Sequence, residues 1–358
     1  MEIKEIIGLF AEAQPLEYEI KNTSHGEDDF REAIIARWGK GVLPPGLGDR
    51  MVIKLAANGF TDPAHLEMWE RLSEEYRRRG YYCPRFLRTK AGDFPYVEYQ
   101  GRKCIVYGEE YARFRTADSF ETAEVSPNGK FTYLDDLLRM NAEIAAAHLD
   151  FTDLPSAWVL FGTFDPADAE DEVMENARDW LACAEKLPES FRPQVTRIWE
   201  RWKLNRAFLE KEYHRLPTSV FQADLNSTNI LLDDNGRFAG IMDFNIAGRE
   251  VFLNYLFREV PFVFGKRGEK PAPEEAKSWT EELLRRLIYG IEVVRQRYEF
   301  SEAEMELALP LFRCLSPLWF TAVEQLKAAK GEEEIRAVLD DTERAQTLEV
   351  DFRKYMRG

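Results

Sequence analysis

Cysteine is scarce: the four in 358 residues, Cys83, Cys104, Cys183 and Cys314, are scattered without the paired spacing that zinc ligation or a redox couple needs. Long apolar runs are missing as well. None approaches the roughly 20 residues a membrane-spanning helix requires, and Met1-Glu-Ile-Lys-Glu lacks the cationic and then apolar layout of a secretion signal. The expectation is a cytoplasmic chain with no membrane partner. Basic charge is in deficit, 48 Lys and Arg against 64 Asp and Glu for a net charge of −16. That balance opposes nucleic-acid binding through a broad basic surface. It would draw in a cationic small molecule, or serve solubility alone. No Gly-x-x-x-x-Gly-Lys-Ser/Thr occurs, and Gly46-Leu-Gly48 is not followed by the third glycine of a dinucleotide fingerprint, so P-loop and Rossmann sites are excluded. Without Gly-x-Ser-x-Gly or His-Glu-x-x-His, hydrolase chemistry has no anchor. Internal repeats and low-complexity segments are also absent.

The chain is long enough for one large or two modest domains, and 45% hydrophobic residues can fill their cores. Its organising stretch is residues 218–250. Ile230, Leu231 and Leu232 form one short apolar run and Phe238 to Met242 another, while Asp234-Asn235-Gly236 between them supplies a residue pair that accepts positive φ. This is a β-hairpin signature. It fixes three polar residues around its open end: Asp224 and Asn229 in the preceding loop, and Asp243 where the second strand stops. Two carboxylates and an amide converge. A plainer origin, Asp and Asn as turn formers, leaves unexplained an aspartate that ends a buried-looking strand.

Asp224-Leu-Asn-Ser-Thr-Asn229, with Asp243-Phe244 fourteen residues past the Asn, resembles the catalytic and metal-binding segments of kinases. The match is to the aminoglycoside phosphotransferase and choline kinase superfamily, which usually reads His-Gly-Asp, three or four residues, Asn, then Ile/Val-Asp-Phe/Trp. The resemblance implies that Asp224 receives or orients the proton of a substrate hydroxyl and that Asn229 and Asp243 bind Mg²⁺, a hard cation suited to oxygen ligands. Gln222 and Ala223 depart from the usual His and Gly. A Gln amide can both donate and accept, and so can still brace the loop.

The N-terminal third supports the same resemblance. Glu17–Ile20 and Arg31–Trp38 read as strands around a polar loop, which resembles the first hairpin of a kinase small lobe with Thr23, Ser24 and Gly26 over the nucleotide phosphates. Gly39 to Gly48 is a Gly/Pro-rich connector, and Met51 to Leu55 is a third strand. Lys54 lies inside this apolar strand, an odd place for an ammonium without an anionic partner; by resemblance it reaches the ATP phosphates. A helix starts at the N-cap Asp62 with Pro63 behind it and stops at Gly80. Its stripe is Leu66, Trp69, Leu72 and Tyr76, and either Glu70 or Glu67 would pair with Lys54, Glu70 being nearer by phase. Cys83–Leu87, Tyr96–Tyr99 and Lys103–Tyr107 read as further strands. Glu109, Glu110 and Tyr111 then fall at the hinge, whose backbone would meet the adenine.

Beyond the hinge the period changes to about 3.6 residues. Helices are expected from Leu134 to near His148, over Asp165–Glu185, Arg192–Tyr213, Phe252–Val260 and Glu274–Tyr298, after the Ser301–Glu304 capping box, and over Glu332–Met356. Residues 265–273 read as a polar linker. His148 reads as a residue packed at a helix end or placed at the negative end of the helix dipole. The sequence therefore predicts an α+β, two-lobed, protein-kinase-like fold: an N-terminal nucleotide-binding lobe over 1–107 and a helical lobe with catalytic loop and metal site over 108–358. ATP would lie between them and pass its γ-phosphate to a small-molecule hydroxyl, with Mg²⁺. The alternative is a nucleotide-binding regulatory protein that keeps the fold without catalysis. A protein kinase would need an Ala-Pro-Glu segment and an activation loop, which the sequence lacks.

Overall fold

The computed structural model describes residues 1–26, 28–120, 130–261, 263–264 and 278–357. In chain order the elements are α1 (Ile3–Ile7), β1 (Glu17–Asn22), β2 (Phe30–Arg37), β3 (Arg50–Ala57), α2 (Pro63–Arg78), β4 (Phe86–Leu87), β5 (Tyr96–Tyr99), β6 (Arg102–Glu110), β7 (Arg115–Thr116), α3 (Leu134–Ala146), α4 (Glu172–Ala184) and α5 (Arg192–Glu212). There follow β8 (Thr218–Phe221), β9 (Ile230–Leu232), β10 (Phe238–Ile241), β11 (Gly248–Val251), α6 (Phe252–Glu259), α7 (Trp279–Val294), α8 (Glu302–Leu315), α9 (Phe320–Ala328), α10 (Glu332–Thr347) and α11 (Arg353–Met356). Two compact units emerge, one comprising Met1–Phe120, Asp165–Ala167 and Ser227–Ile246, the other the remainder. The fold class is α+β, as expected.

The first unit is built on an antiparallel sheet in the order β1-β2-β3-β6-β4, with β5 also on β6. Period-two alternation sorts the side chains of its central strands. Ile34, Ala36, Met51, Ile53, Leu55, Cys104 and Val106 enter a core with Ile6, Phe10 and Trp38. The opposite face carries Lys54 and, directly across from it on β6, Tyr107. Helix α2 covers that face. Asp62 Oδ1 accepts from His65 N (2.9 Å), Pro63 opens the first turn, and Gly80 at φ 91° follows the last. Edge strand β1 is exposed along its whole length and carries Glu17, Glu19 and Lys21, charges that discourage further strand pairing.

The hairpin read from sequence is β9 and β10, with β7 as a third strand. Its turn is closed by Asp233, whose Oδ1 accepts from Asn235 N (2.9 Å) and Arg237 N (3.0 Å), and Gly236 alone of the turn triplet takes positive φ. The expected pair of positive-φ residues is thus a single one, because the Asp233 carboxylate shapes the rest. Tyr82 joins β10 from the side: its N donates to Ala239 O and its O accepts from Ile241 N, both at 3.0 Å.

In the second unit β8 and β11 pair antiparallel among the helices. Phe221 stacks on Tyr255, with centroids 4.4 Å apart, and on Phe252, while Trp180, Trp202 and Phe312 are also fully buried in this unit. The capping box forms, Glu304 N donating to Ser301 Oγ (3.2 Å) and Ser301 N to Glu304 Oε2 (2.8 Å). Helix boundaries differ from expectation at several places: the helix opened at Ser301, expected to hold Trp319 and Phe320, ends at Leu315, and Phe320 starts α9. Residues 165–171 are not helical, because Asp171 caps α4 through Met174 N; 332–356 breaks into α10 and α11, with Leu348 in extended conformation; and α7 starts after the cap Ser278. The expected polar linker 265–273 and residues 274–277 lie outside the described residues.

Gly240 passes so close to Tyr82 that a Cβ would lie 1.8 Å from its carbonyl oxygen. Gly240→Ala must displace backbone rather than a side chain, and should cost roughly 3 kcal/mol or more. Urea unfolding checks this; a variant as stable as the parent would mean that the strand and Tyr82 separate freely.

Candidate active site

Within the first unit the structure assembles a charged cluster on the face of β3. Lys54 Nζ lies 3.0 Å from Glu109 Oε1 and 3.2 Å from Asp243 Oδ1, and it approaches the Tyr107 ring at 5.9 Å. Burial opposes the ammonium charge, but Asp243 and then Glu109 outweigh it and hold the Lys54 pKa well above its ordinary value. Burial pushes the Glu109 carboxyl up while Lys54 works against it. The bridge spans strands far apart in sequence, and Asp243 reaches it from the end of β10 in a left-handed conformation at φ 58°. Such a backbone is strained for a residue with a Cβ.

Asn229 is tied to the same end of the hairpin, since its carbonyl accepts from Met242 N at 2.9 Å. Its side chain is buried, and Thr228 Oγ1 lies 3.4 Å from its Oδ1. That main-chain bond holds Asn229 and Asp243 at the same end of the hairpin; an amide and a carboxylate oxygen are the donor types Mg²⁺ takes alongside water and phosphate oxygens. Among the described residues no cluster of three or more His, Cys, Asp or Glu suits a metal, so an all-protein cage is not what these residues offer.

In the second unit Asp224 is held by Gln222. The fully buried Gln222 amide accepts from Asp224 N (2.8 Å) and donates to Asp224 O (2.9 Å), using both capacities of its side chain. Ala223 between them stands at φ 63°, a conformation that favours glycine and that Ala adopts at a cost of about 1 kcal/mol. Asn226 Nδ2 donates to Asp224 Oδ1 at 2.7 Å. Leu225 N donates to the carboxylate of Glu259, which also accepts from Trp158 Nε1 at 2.7 Å. Burial pushes the Glu259 pKa up to about 7, against the pull of that indole. Glu250, hydrogen-bonded by Tyr213 Oη (3.0 Å), is likewise raised to about 7 by burial.

The remaining expected residues are placed as follows. Glu70 does not take Lys54: it pairs with Arg88 at 2.6 Å, while Glu67 lies 3.8 Å from the same guanidinium. Trp69 rather than Glu70 faces Tyr107, with ring centroids 6.5 Å apart. Thr23 is exposed, and Ser24 spends its hydroxyl on the backbone of Arg31, accepting from N (2.9 Å) and donating to O (3.1 Å). Glu109 and Glu110 belong to β6, which runs further than expected. Glu110 is buried between Arg85 (3.1 Å) and Arg113 (2.6 Å), and Tyr111 is exposed under Arg50 at 5.2 Å. His148 lies beyond α3 near the Tyr298 ring, at 6.4 Å. Sequence reading missed the side-chain roles of Glu109 and Glu259. A glutamate inside the apolar run 104–109 and another ending the apolar helix 252–259 were the available signals.

The α+β fold is of the protein-kinase-like kind. The sequence model of the phosphotransferase enzyme family, APH, matches residues 45–251, and the chain belongs to that family. Membership of a phosphotransferase family is what the resemblance implied. Solved structures share the fold. A microcompartment-associated aminopropanol kinase is 16% identical, with TM-score 0.51 over 96% of this chain and 94% of its own. An amicoumacin kinase in complex with AMP-PNP, Ca²⁺ and Ami is 13% identical, with TM-score 0.50 over 96% and 91%. No curated protein matches the sequence significantly. No described helix is long and apolar enough to cross a membrane.

Glu250 and Glu259 keep a proton in the folded protein that the unfolded chain releases between the ordinary value of 4.5 and about 7. Their contribution to stability is therefore complete below that window and is lost as pH rises through about 7. Glu259→Gln should flatten the decline in Tm between about pH 5 and pH 8. An unchanged slope would show that Glu259 is ionised throughout.

Proposed function

We propose that the chain transfers the γ-phosphoryl group of ATP to a hydroxyl of a small molecule, with Asp224 receiving or orienting the proton of that hydroxyl. The observation that carries this reading is the cluster in which Asp243, at the end of the hairpin, meets Lys54 in the third strand. A cation embedded in a strand beside a carboxylate is what phosphate binding requires, and what a stabilising core would avoid.

Each residue's part follows from its chemistry. Lys54 offers an ammonium to the phosphates, relinquishing some of its contact with the carboxylates when a stronger anion arrives. Asn229 and Asp243 would hold Mg²⁺, which when bound neutralises charge on the phosphates. Asp224 has one oxygen engaged by Asn226 and its backbone clamped by Gln222, so its orientation is restricted before an acceptor binds. The hydroxyl loses its proton toward Asp224 as its oxygen bonds to the γ-phosphorus, and the bond from phosphorus to the leaving oxygen of ADP breaks. Catalysis of this kind is chiefly positioning and charge stabilisation. The double hydrogen bond from Gln222 supports the active reading over the regulatory one, since it gives the unusual residue a bracing task. By the resemblance Thr23 and Ser24 would offer backbone N–H groups and the Thr23 hydroxyl to the phosphates, and Glu110 and Tyr111 their backbone to the adenine.

Asp224→Asn should lower ADP formation with a competent acceptor by about 10²–10⁴-fold while sparing nucleotide affinity. Asp243→Asn should weaken Mg²⁺-dependent nucleotide binding before any acceptor is added. A panel of amino alcohols, amino sugars, nucleosides and hydroxy amino acids, read by ADP release and calorimetry, tests both. Nucleotide binding without turnover across the panel would favour the regulatory alternative, and full turnover by Asp224→Asn would remove Asp224 from the reaction.

The acceptor we place among cations, on the strength of the −16 net charge; an amino alcohol is also the acceptor named for one structural neighbour. Its second-order rate should then fall as salt rises, because exposed charges are screened beyond about 8–10 Å at physiological ionic strength. A salt-independent rate would leave the charge to solubility.

A further inference from the structure

The partner of Lys54 comes from an unexpected element. We infer that Glu109 is the positioning residue for Lys54, performing from strand β6 the task that a kinase resemblance assigns to a glutamate of helix α2. The inference rests on the nucleotide-binding reading of Lys54 given above.

Register makes the contact unavoidable. Tyr107 stands directly across from Lys54 and Val52 directly across from Glu109, so Glu109 projects from the same face as Lys54, one diagonal step along the ladder. Its carboxylate reaches the ammonium at 3.0 Å. Glu109 is only 8% exposed, and a carboxylate so enclosed requires a cation or several donors. Among the described residues Lys54 is the cation that meets it. Both acids of α2 that could have served are drawn to Arg88, which follows β4. Trp69 fills the position against Tyr107 that such an acid would have to cross.

The two arrangements differ in mechanics. A glutamate on a helix aligns the lysine only when the helix is in place. A glutamate on the neighbouring strand is fixed to the lysine by main-chain pairing, so alignment is a standing property of the sheet. Asp243 is then the partner that Lys54 exchanges for phosphate, and Glu109 the one it keeps.

A double-mutant cycle tests this. Calorimetric affinity for Mg·AMP-PNP is measured for the parent, Lys54→Met, Glu109→Gln, the double variant and Glu70→Gln, with thermal unfolding of each. Glu109→Gln should weaken binding on the order of tenfold, and it should have no further effect once Lys54 is Met. Glu109→Asp, which keeps the charge but withdraws it, should fall between parent and Glu109→Gln, and serves if the Gln variant folds poorly. Parent-like or tighter binding by Glu109→Gln, an equal loss in the Lys54→Met background, or a loss that follows Glu70→Gln instead would each overturn the inference while leaving the phosphotransferase reading intact. Unchanged affinity in Lys54→Met would overturn both.

Discussion

An ammonium group set into the third strand of a hydrophobic sheet has to be neutralised, and much of the first unit is arranged around that requirement. The apolar neighbours of Lys54 on the same strand, Met51, Ile53 and Leu55, anchor the opposite face in the core, so the lysine cannot retreat to bulk water without the strand moving. Neutralisation is met by two carboxylates from remote parts of the sequence, Glu109 and Asp243. Each is costly to enclose alone and tolerable only in company. The cluster gains little stability for the fold by this. What it leaves is a charge already desolvated and oriented, the condition that the proposed phosphate-binding role would use with least reorganisation.

The loop that leads to the hairpin shows a second kind of preorganisation, carried by backbone. Ala223 and Asp243 both adopt left-handed conformations that disfavour a Cβ, and both adjoin or constitute residues of the candidate chemistry. Strain at such places persists only where surrounding bonds over-determine it. Around Ala223 those bonds are the paired hydrogen bonds of Gln222; around Asp243 they are the Met242 to Asn229 bond and the salt bridge to Lys54.

The local signals in the sequence were legible where one residue decides one feature. Asp62 and Pro63 start α2, Ser301 and Glu304 start α8, and Gly236 turns the hairpin, because caps and turns are governed by groups within four residues of one another. Lys54 was legible as an anomaly of hydropathy. Its partner was not, since the choice between Glu70 and Glu109 depends on how far β6 extends and on which side of α2 Trp69 faces, both settled by packing. The same holds for 165–171 and for the break after Thr347, where helical composition continues but Asp171 and Leu348 leave the helical backbone. Gly240 carried no reading beyond its place in an apolar run, because the close approach of Tyr82 is a tertiary fact.

The hairpin belongs to the first unit although it is encoded deep within the second, between Asn226 and Ala247. No single cut of the chain can release both units whole. A fragment ending after β7 would leave that strand without β9, would leave Tyr82 without the strand edge it bonds, and would expose Lys54 with one carboxylate instead of two. The fold is therefore indivisible in a genetic sense: recombination could exchange the helices of the second unit only by insertions on both flanks of the hairpin, and the polypeptide must be synthesised past residue 246 before the first unit can close.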